Sequence, residues 1–225
     1  VYKSQDFPPA SRHAFNNPDV RFVNSNVASL DAVKQGGISV VSDAREALEE
    51  LARAVGDYTV SDEYRQRTAD LAAEWNDTVS QVYRTDDGAP LNQNQVIGLV
   101  NSLSDPRDVV VCAAGSMPGD LHHLWRLRDR KGYRVEYGSS CMGYEIAGGI
   151  GVRMAAPDRD VFVMVGDGSY LMMATELVTA VHEGVKVIPV LVQNHGFASI
   201  GGRSESLGSP RLGNAYRYRG EAGFF

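Results

Sequence analysis

Three apolar runs decide what this chain can become: Val109-Val110-Val111-Cys112-Ala113, Val161-Phe162-Val163-Met164-Val165 and the stretch 187–192. None alternates with polar residues, so each reads as a strand buried on both faces. Segments long enough for helices separate them, which implies a parallel sheet with right-handed crossovers. The predicted fold class is therefore α/β, with helices over 92–103, 141–155 and 172–183. Gly184 is placed to end the last of these in a left-handed cap. Pro189 is awkward inside the third run, because proline removes a ladder donor. Either its nitrogen lies on an unpaired edge, or pairing is confined to Val190-Leu191-Val192.

Upstream, residues 1–19 carry Pro8-Pro9 and Asn16-Asn17-Pro18 and read as irregular chain. Val20-Arg21-Phe22-Val23-Asn24 alternates and predicts a short strand; Ile38-Ser39-Val40-Val41 predicts another. Ser42 or Asp43 can cap a helix to Val55, with Ala44, Leu48, Leu51 and Val55 on one face and Gly56 beyond its end. This piece is small for an independent domain. Residues 1–56 therefore read as the C-terminal part of a middle α/β domain. A helical linker over 57–90 follows, its helix at 61–83, and Asp86-Asp87-Gly88-Ala89-Pro90 marks the boundary. Residues 91–225 form the second domain, expected to be incomplete at its C-terminus. Without an initiator Met, the chain is expected to begin inside a longer protein.

In an open α/β sheet, ligands sit beyond the carboxyl ends of the strands. Three loops of this chain emerge there: Ala114-Gly115-Ser116, Gly166-Asp167-Gly168-Ser169 and Gln193-Asn194-His195-Gly196. Asp167 between two glycines puts a carboxylate on a turn whose backbone can approach a ligand closely. Gly168 and Ser169 then offer free N–H groups suited to phosphate oxygens. A carboxylate beside a phosphate needs a cation between them, and Mg²⁺ is typically held in that way. Asn194 follows Asp167 by 27 positions, the length of one α/β unit, so the two belong at adjacent strand ends. A lone Gly-Asp-Gly would be a surface turn; the Asn at this interval separates the two explanations.

Gly166-Asp167-Gly168-Ser169 with Gln193-Asn194-His195-Gly196 resembles the signature of thiamine-diphosphate-dependent enzymes. Tyr137-Gly138-Ser139-Ser140-Cys141-Met142-Gly143-Tyr144 is similar to the Gly-x-Met-Gly segment of the pyruvate-oxidase and acetolactate-synthase group. Three stretches are similar, more narrowly, to the cyclic-dione hydrolase branch of myo-inositol catabolism. They are 17–24, 170–182, and His195-Gly196-Phe197-Ala198-Ser199-Ile200-Gly201-Gly202 with Tyr216-Arg217-Tyr218-Arg219. The resemblance covers about residues 6–219.

It implies a parallel-sheet thiamine-diphosphate-binding domain over 91–225. It further implies that Asp167 and Asn194 bind Mg²⁺ through their side chains and Gly196 through its backbone carbonyl. Gly166, Gly168, Ser169 and His195 would lie at the diphosphate, with Gly115 and Ser116 closing over it. Met142 would hold the cofactor bent, and the Ser140 carbonyl would accept from its aminopyrimidine. Thr is more usual than Cys before that Met. No catalytic residue is assigned: the cofactor-activating Glu belongs to a pyrimidine-binding domain, for which Glu145 and Glu176 are poor substitutes. The family reading also implies a homodimer or homotetramer with a shared active site and no turnover by these residues alone, while two cysteines read as free thiols fit a reducing cytoplasm. The narrower resemblance implies hydrolytic C–C cleavage of a cyclic polyol dione, trihydroxycyclohexane-1,2-dione, to 5-deoxy-glucuronic acid. An acetolactate-synthase-like enzyme or 2-oxo acid decarboxylase, and a non-catalytic phosphate-binding module, stand beside it.

Met142 on a helix is either core or cofactor support. Gly143, Gly148, Gly149 and Gly151 disfavour a helix interior, so something approaches closely, either a ligand or the sheet. Residues 196–219 are either a lid or an ordinary flexible loop, and Arg203, Arg217 and Arg219 are candidates for contacting hydroxyl or carboxylate groups. Adjacent His122 and His123 cannot both face one metal, and His182 sits at a helix end where the dipole favours it. No zinc motif is present. Cys112 and Cys141 are too few for a disulfide framework and read as buried free thiols. With 22 basic and 28 acidic residues and no basic cluster, neither nucleic acid nor an anionic membrane is an expected partner. No apolar run approaches the roughly 20 residues that span a bilayer.

Overall fold

Val23–Asn26 (β1) pairs in parallel with Ile38–Val41 (β2), Val23 opposite Ile38, and Ser29–Val33 (α1) lies between them. β1 starts later than its alternation suggests because β2 sets its extent: the Ile38 N–H reaches the Phe22 carbonyl at 2.9 Å. Of the two candidate caps for the next helix, Ala44–Val55 (α2), the structure uses Asp43, whose side chain accepts the Arg45 N–H at 2.8 Å. Gly56 follows the helix at φ 53°. The computed structural model describes residues 17–33, 36–85, 88–136, 138–210 and 213–216. Pro8, Pro9, Asn16, Asp86, Asp87, Tyr137, Arg217, Tyr218 and Arg219 lie outside the described residues.

The chain divides into two units, Val1–Leu71 and Ala72–Phe225, and the division falls inside the long helix Asp62–Val82 (α3). In the first unit the apolar face of α2 and all of β2 are exposed.

In the second unit the remainder of α3 is followed by Gln93–Leu103 (α4), begun by a capping box between Asn92 and Gln95. Four parallel strands follow: Val109–Cys112 (β3), Tyr133–Val135 (β4), Val161–Gly166 (β5) and Ile188–Val192 (β6), in the order β4-β3-β5-β6. The three predicted strands are three of these. β4, short and only half-apolar, carries no comparable run.

Period-2 geometry splits each central strand between two cores. Val110, Cys112 and Met164 pack with Val79, Ile97 and Met117–Leu124 (α5) on one face. Val109, Val111, Val161, Val163 and Val165 pack with Tyr144–Ala155 (α6) and Glu176–His182 (α8) on the other. This is a doubly wound α/β layer, and burial on both faces is why the strand sequences do not alternate.

Met117 to Gly119, whose composition suits a turn, enter α5, with Pro118 in the first turn where a missing N–H costs nothing. The helix expected from 141 starts at Tyr144, because Gly143 sits at φ 91°. The helix expected at 172–183 is two, Asp167–Met173 (α7) and α8. Ala174 and Thr175 keep right-handed dihedrals, but Leu177 and Val178 bond three residues back rather than four. Gly184 takes the left-handed position, φ 64°, as the sequence suggests. Pro189 pairs opposite Val163 within β6, which is flanked only by β5 in the described sheet. Its nitrogen on the open side removes nothing from the ladder.

A Cβ on Gly149 would lie 2.4 Å from Val163 Cγ2, so α6 rests directly on β5. Gly148 lies under the Tyr144 ring, while Gly151 faces open space. Close packing on the sheet, not a ligand, accounts for Gly149.

Candidate functional site

From β3 the chain steps outward to β4, and from β5 it steps the opposite way to β6. The switch point therefore lies between the carboxyl ends of β3 and β5, the usual place for a ligand. A cavity of about 270 Å³ opens there. Gly115, Ser116, Ser140, Met142, Gly166, Gly168, Ser169, Asn194 and Gly196 all line it. Asp167 is 2% exposed and is not in the lining. His195 is exposed, holds φ 63°, and does not line the cavity. Arg203 lines it from Ala198–Ser206 (α9), so this part of the suspected lid or loop is a helix on the cavity wall.

Backbone groups fix the Asp167 carboxylate from both sides. Oδ1 accepts the Gly168 N–H at 2.9 Å, and Oδ2 accepts the Gly196 N–H at 3.1 Å. The Gly168 N–H is therefore not free for a phosphate, contrary to the sequence-based expectation. The terminal amide of Asn194 comes within 3.0 Å of Asp167 Oδ1 and 2.8 Å of the Gly196 carbonyl. With nitrogen in that place, the amide donates to both oxygens. Rotated by half a turn, it presents a third oxygen to the same point, which only a cation can then share.

Among the described residues no three His, Cys, Asp or Glu side chains gather to hold a metal. What converges instead is a carboxylate, an amide and a backbone carbonyl, hard oxygen donors that fit Mg²⁺.

Two glycines have no substitute here. A Cβ on Gly168 would lie 2.8 Å from the Phe197 ring, and one on Gly196, at φ 129°, would lie 2.6 Å from the Asn214 carbonyl. Met142 is 43% exposed and precedes α6, so it is cavity wall rather than core.

Ser140 holds φ 50°, a conformation unfavourable for a residue with a Cβ. The Glu136 carboxylate helps to hold this segment, accepting the Ser139 N–H at 2.9 Å and the Cys141 N–H at 2.6 Å. Those bonds, the Cys141 one foremost, place the Glu136 carboxyl below its ordinary range. A depressed folded value stabilises the segment above the ordinary carboxylate range and is lost as pH falls through that lower value. Hydrogen exchange at Ser139 and Cys141 should therefore stay slow as pH passes through the ordinary Glu range and rise only below it. A rise at or above that range would contradict the bond.

Cys141 is exposed, correcting the reading of both cysteines as buried. It sits in the cavity-rim segment rather than inside the helix to which the sequence assigned it. Cys112 is buried, and burial pushes its thiol up to about 12.

Sequence reasoning missed three contributors. Gln93 lines the cavity and donates to Ser116 Oγ at 3.1 Å and Asp120 Oδ2 at 2.5 Å; only its place at a helix start was visible. Phe197 packs on Gly168. Glu145, 1% exposed, accepts from Ser169 Oγ at 2.8 Å and from the Gly143 N–H at 3.0 Å. The signal for Glu145 was an acid in a glycine-rich helix whose other charge, Arg153, lies in the last turn. Its bond commits the Ser169 hydroxyl, which points away from any role as a free phosphate donor.

Residues 113–221 match the family model described as the thiamine pyrophosphate enzyme C-terminal TPP-binding domain. Over those residues the chain carries a C-terminal TPP-binding domain of the thiamine pyrophosphate enzymes. It is 39% identical over 218 residues to the 3D-(3,5/4)-trihydroxycyclohexane-1,2-dione hydrolase of Geobacillus thermodenitrificans, covering 87% of this chain and 34% of that protein. Proteins of the same name from Bacillus cereus strain AH820 and Bacillus thuringiensis are 35% and 37% identical, each covering 96% of this chain and 37% of the relative. The chain thus spans about a third of the length of these curated relatives. Among the described residues no helix is long and apolar enough to cross a membrane.

Proposed function

We propose that the full-length protein is a thiamine-diphosphate- and Mg²⁺-dependent enzyme that opens a cyclic 1,2-dione by hydrolytic C–C cleavage. The substrate would be trihydroxycyclohexane-1,2-dione and the product 5-deoxy-glucuronic acid, a step of myo-inositol catabolism. The observation that carries the cofactor half is the convergence of Asp167, Asn194 and the Gly196 carbonyl at a cavity on the switch point. Likeness to the named dione hydrolases supports the substrate half.

Bound thiamine diphosphate supplies a nucleophilic carbon and a sink for the electrons of the breaking C–C bond. Asp167, Asn194 and the Gly196 carbonyl would hold Mg²⁺, whose charge reconciles the carboxylate with a diphosphate. Gly115 and Ser116 border the cavity from the turn after β3, Ser140 and Met142 from the segment before α6, and Phe197 from the start of α9. These walls would orient the cofactor and shield its reactive carbon from stray water. The group that activates the cofactor is a Glu of a pyrimidine-binding domain outside residues 1–225, supplied across a homodimer or homotetramer interface in the cytoplasm. Exposed Leu171, Met172, Val178 and Val181 on α7 and α8 offer an apolar surface for such a neighbour.

Purified full-length protein with thiamine diphosphate and Mg²⁺ should turn over the cyclic dione and not pyruvate. Activity on pyruvate alone would replace this reading with a 2-oxo acid decarboxylase or acetolactate-synthase-like one. The 225-residue chain by itself should show no turnover in the same assay.

A further inference from the structure

Glu145 is a buried acid to which the proposed function gives no part. It lies in the first turn of α6 and is 1% exposed. Its Oε1 accepts the Ala114 N–H at 3.2 Å and the Ser169 hydroxyl at 2.9 Å. Its Oε2 accepts the Gly143 N–H at 3.0 Å and lies 2.8 Å from the same hydroxyl. Gly143 N–H also reaches Ser169 Oγ at 2.8 Å, so the groups form one closed network.

An acid at a helix start ordinarily serves its own helix, through the dipole or a capping bond. Glu145 goes further. Ala114 belongs to the turn after β3, which continues into Gly115 and Ser116. Gly143 directly follows Met142. Ser169 lies two residues after Asp167, in the first turn of α7. Three chain segments that are distant in sequence and adjacent at the cavity therefore meet on one carboxylate. A buried charge is tolerated only when its lone pairs are met by donors, and here each oxygen faces a backbone N–H. An amide in its place would set its own NH₂ against one of those N–H groups.

We infer that Glu145 is a positioning residue, tying the Gly115–Ser116 turn, the Met142 segment and the Asp167–Ser169 turn into one cradle. It does not line the cavity and so touches no ligand there. The ligand assigned to that cradle rests on the thiamine diphosphate reading; the tie itself rests on the hydrogen bonds.

Full-length Glu145→Gln protein tests this, with two readouts besides turnover. Calorimetry with thiamine diphosphate in saturating Mg²⁺ should show affinity lowered by about tenfold or more, the scale set by outer-sphere partners of a bound group. Alkylation followed by peptide mass spectrometry should show Cys141, one residue from Met142, reacting several times faster than in wild type. Cys112, buried in the core on the opposite face of β3 from α6, should stay unmodified. Unchanged affinity with an unchanged Cys141 rate would overturn the inference. So would equal acceleration at Cys112, which marks a general loosening of the fold. Should wild type itself not bind thiamine diphosphate, the functional reading fails, while the Cys141 comparison still decides whether the tie exists. Ser169→Ala, which removes the shared hydroxyl and keeps the carboxylate, should move Cys141 in the same direction by less. It serves in place of Glu145→Gln if that variant does not fold.

Discussion

Asp167→Ala is expected to remove Mg²⁺-dependent binding of thiamine diphosphate from the full-length protein, a loss of about 100-fold or more. Partners one shell out from a metal typically contribute 10–100-fold, and Asp167 is placed as a direct ligand. It is the sole charged member of the converging oxygen set, so nothing else present replaces it beside a divalent ion. Truncation also leaves the Gly168 and Gly196 N–H groups without their acceptor, at about 1–3 kcal/mol for each that stays buried. Asp167→Asn separates the two effects. It keeps the volume and one acceptor, so stability should fall less, while the missing charge should weaken metal-dependent binding nearly as much. Calorimetric titration with and without Mg²⁺, beside thermal unfolding of each variant, measures both. Binding equal to wild type in either variant would take Asp167 out of the metal site.

Gly149→Val is the substitution expected to cost most in stability, about 3 kcal/mol, at the upper end of core overpacking. The first added carbon would lie 2.4 Å from Val163 Cγ2, far inside van der Waals contact. Relief requires α6 to lift from β5 or Val163 to leave its rotamer, and Val163 is fully buried. Replacing a helical Gly ordinarily returns up to about 1 kcal/mol, and less for β-branched Val, so the clash wins. At Gly151, where open space surrounds the Cβ position, Ala should be neutral or stabilising. Chemical denaturation of both variants checks the contrast. Equal effects at the two positions would show that α6 does not rest on the sheet at Gly149.

The second unit was legible where burial leaves a mark on sequence. β3 and β5 are wrapped by cores on both faces, and unbroken apolar runs record that. β4 is short and carries an arginine, so it leaves no such record. α5 was hidden because Met117-Pro118-Gly119 has turn composition, although proline suits a first helical turn. Asp167 and Asn194 could be paired from their interval alone, since one crossover fixes neighbouring strand ends. The use of each N–H could not. That Gly168 serves Asp167, and that Glu145 takes the Ser169 hydroxyl, depends on angles within tight turns that residue types do not specify. Cys141 looked buried because its segment is rich in glycine, yet it is exposed beside Ser140, which holds φ 50° at the cavity rim.

A crystal structure of the full-length protein grown with thiamine diphosphate and Mn²⁺ in place of Mg²⁺ would speak most directly to the site. An anomalous peak bonded to an Asp167 oxygen, the Asn194 amide oxygen and the Gly196 carbonyl is the result this account predicts. A peak held by other residues, or an Asn194 amide nitrogen still pointing at Asp167 in the loaded protein, would contradict it.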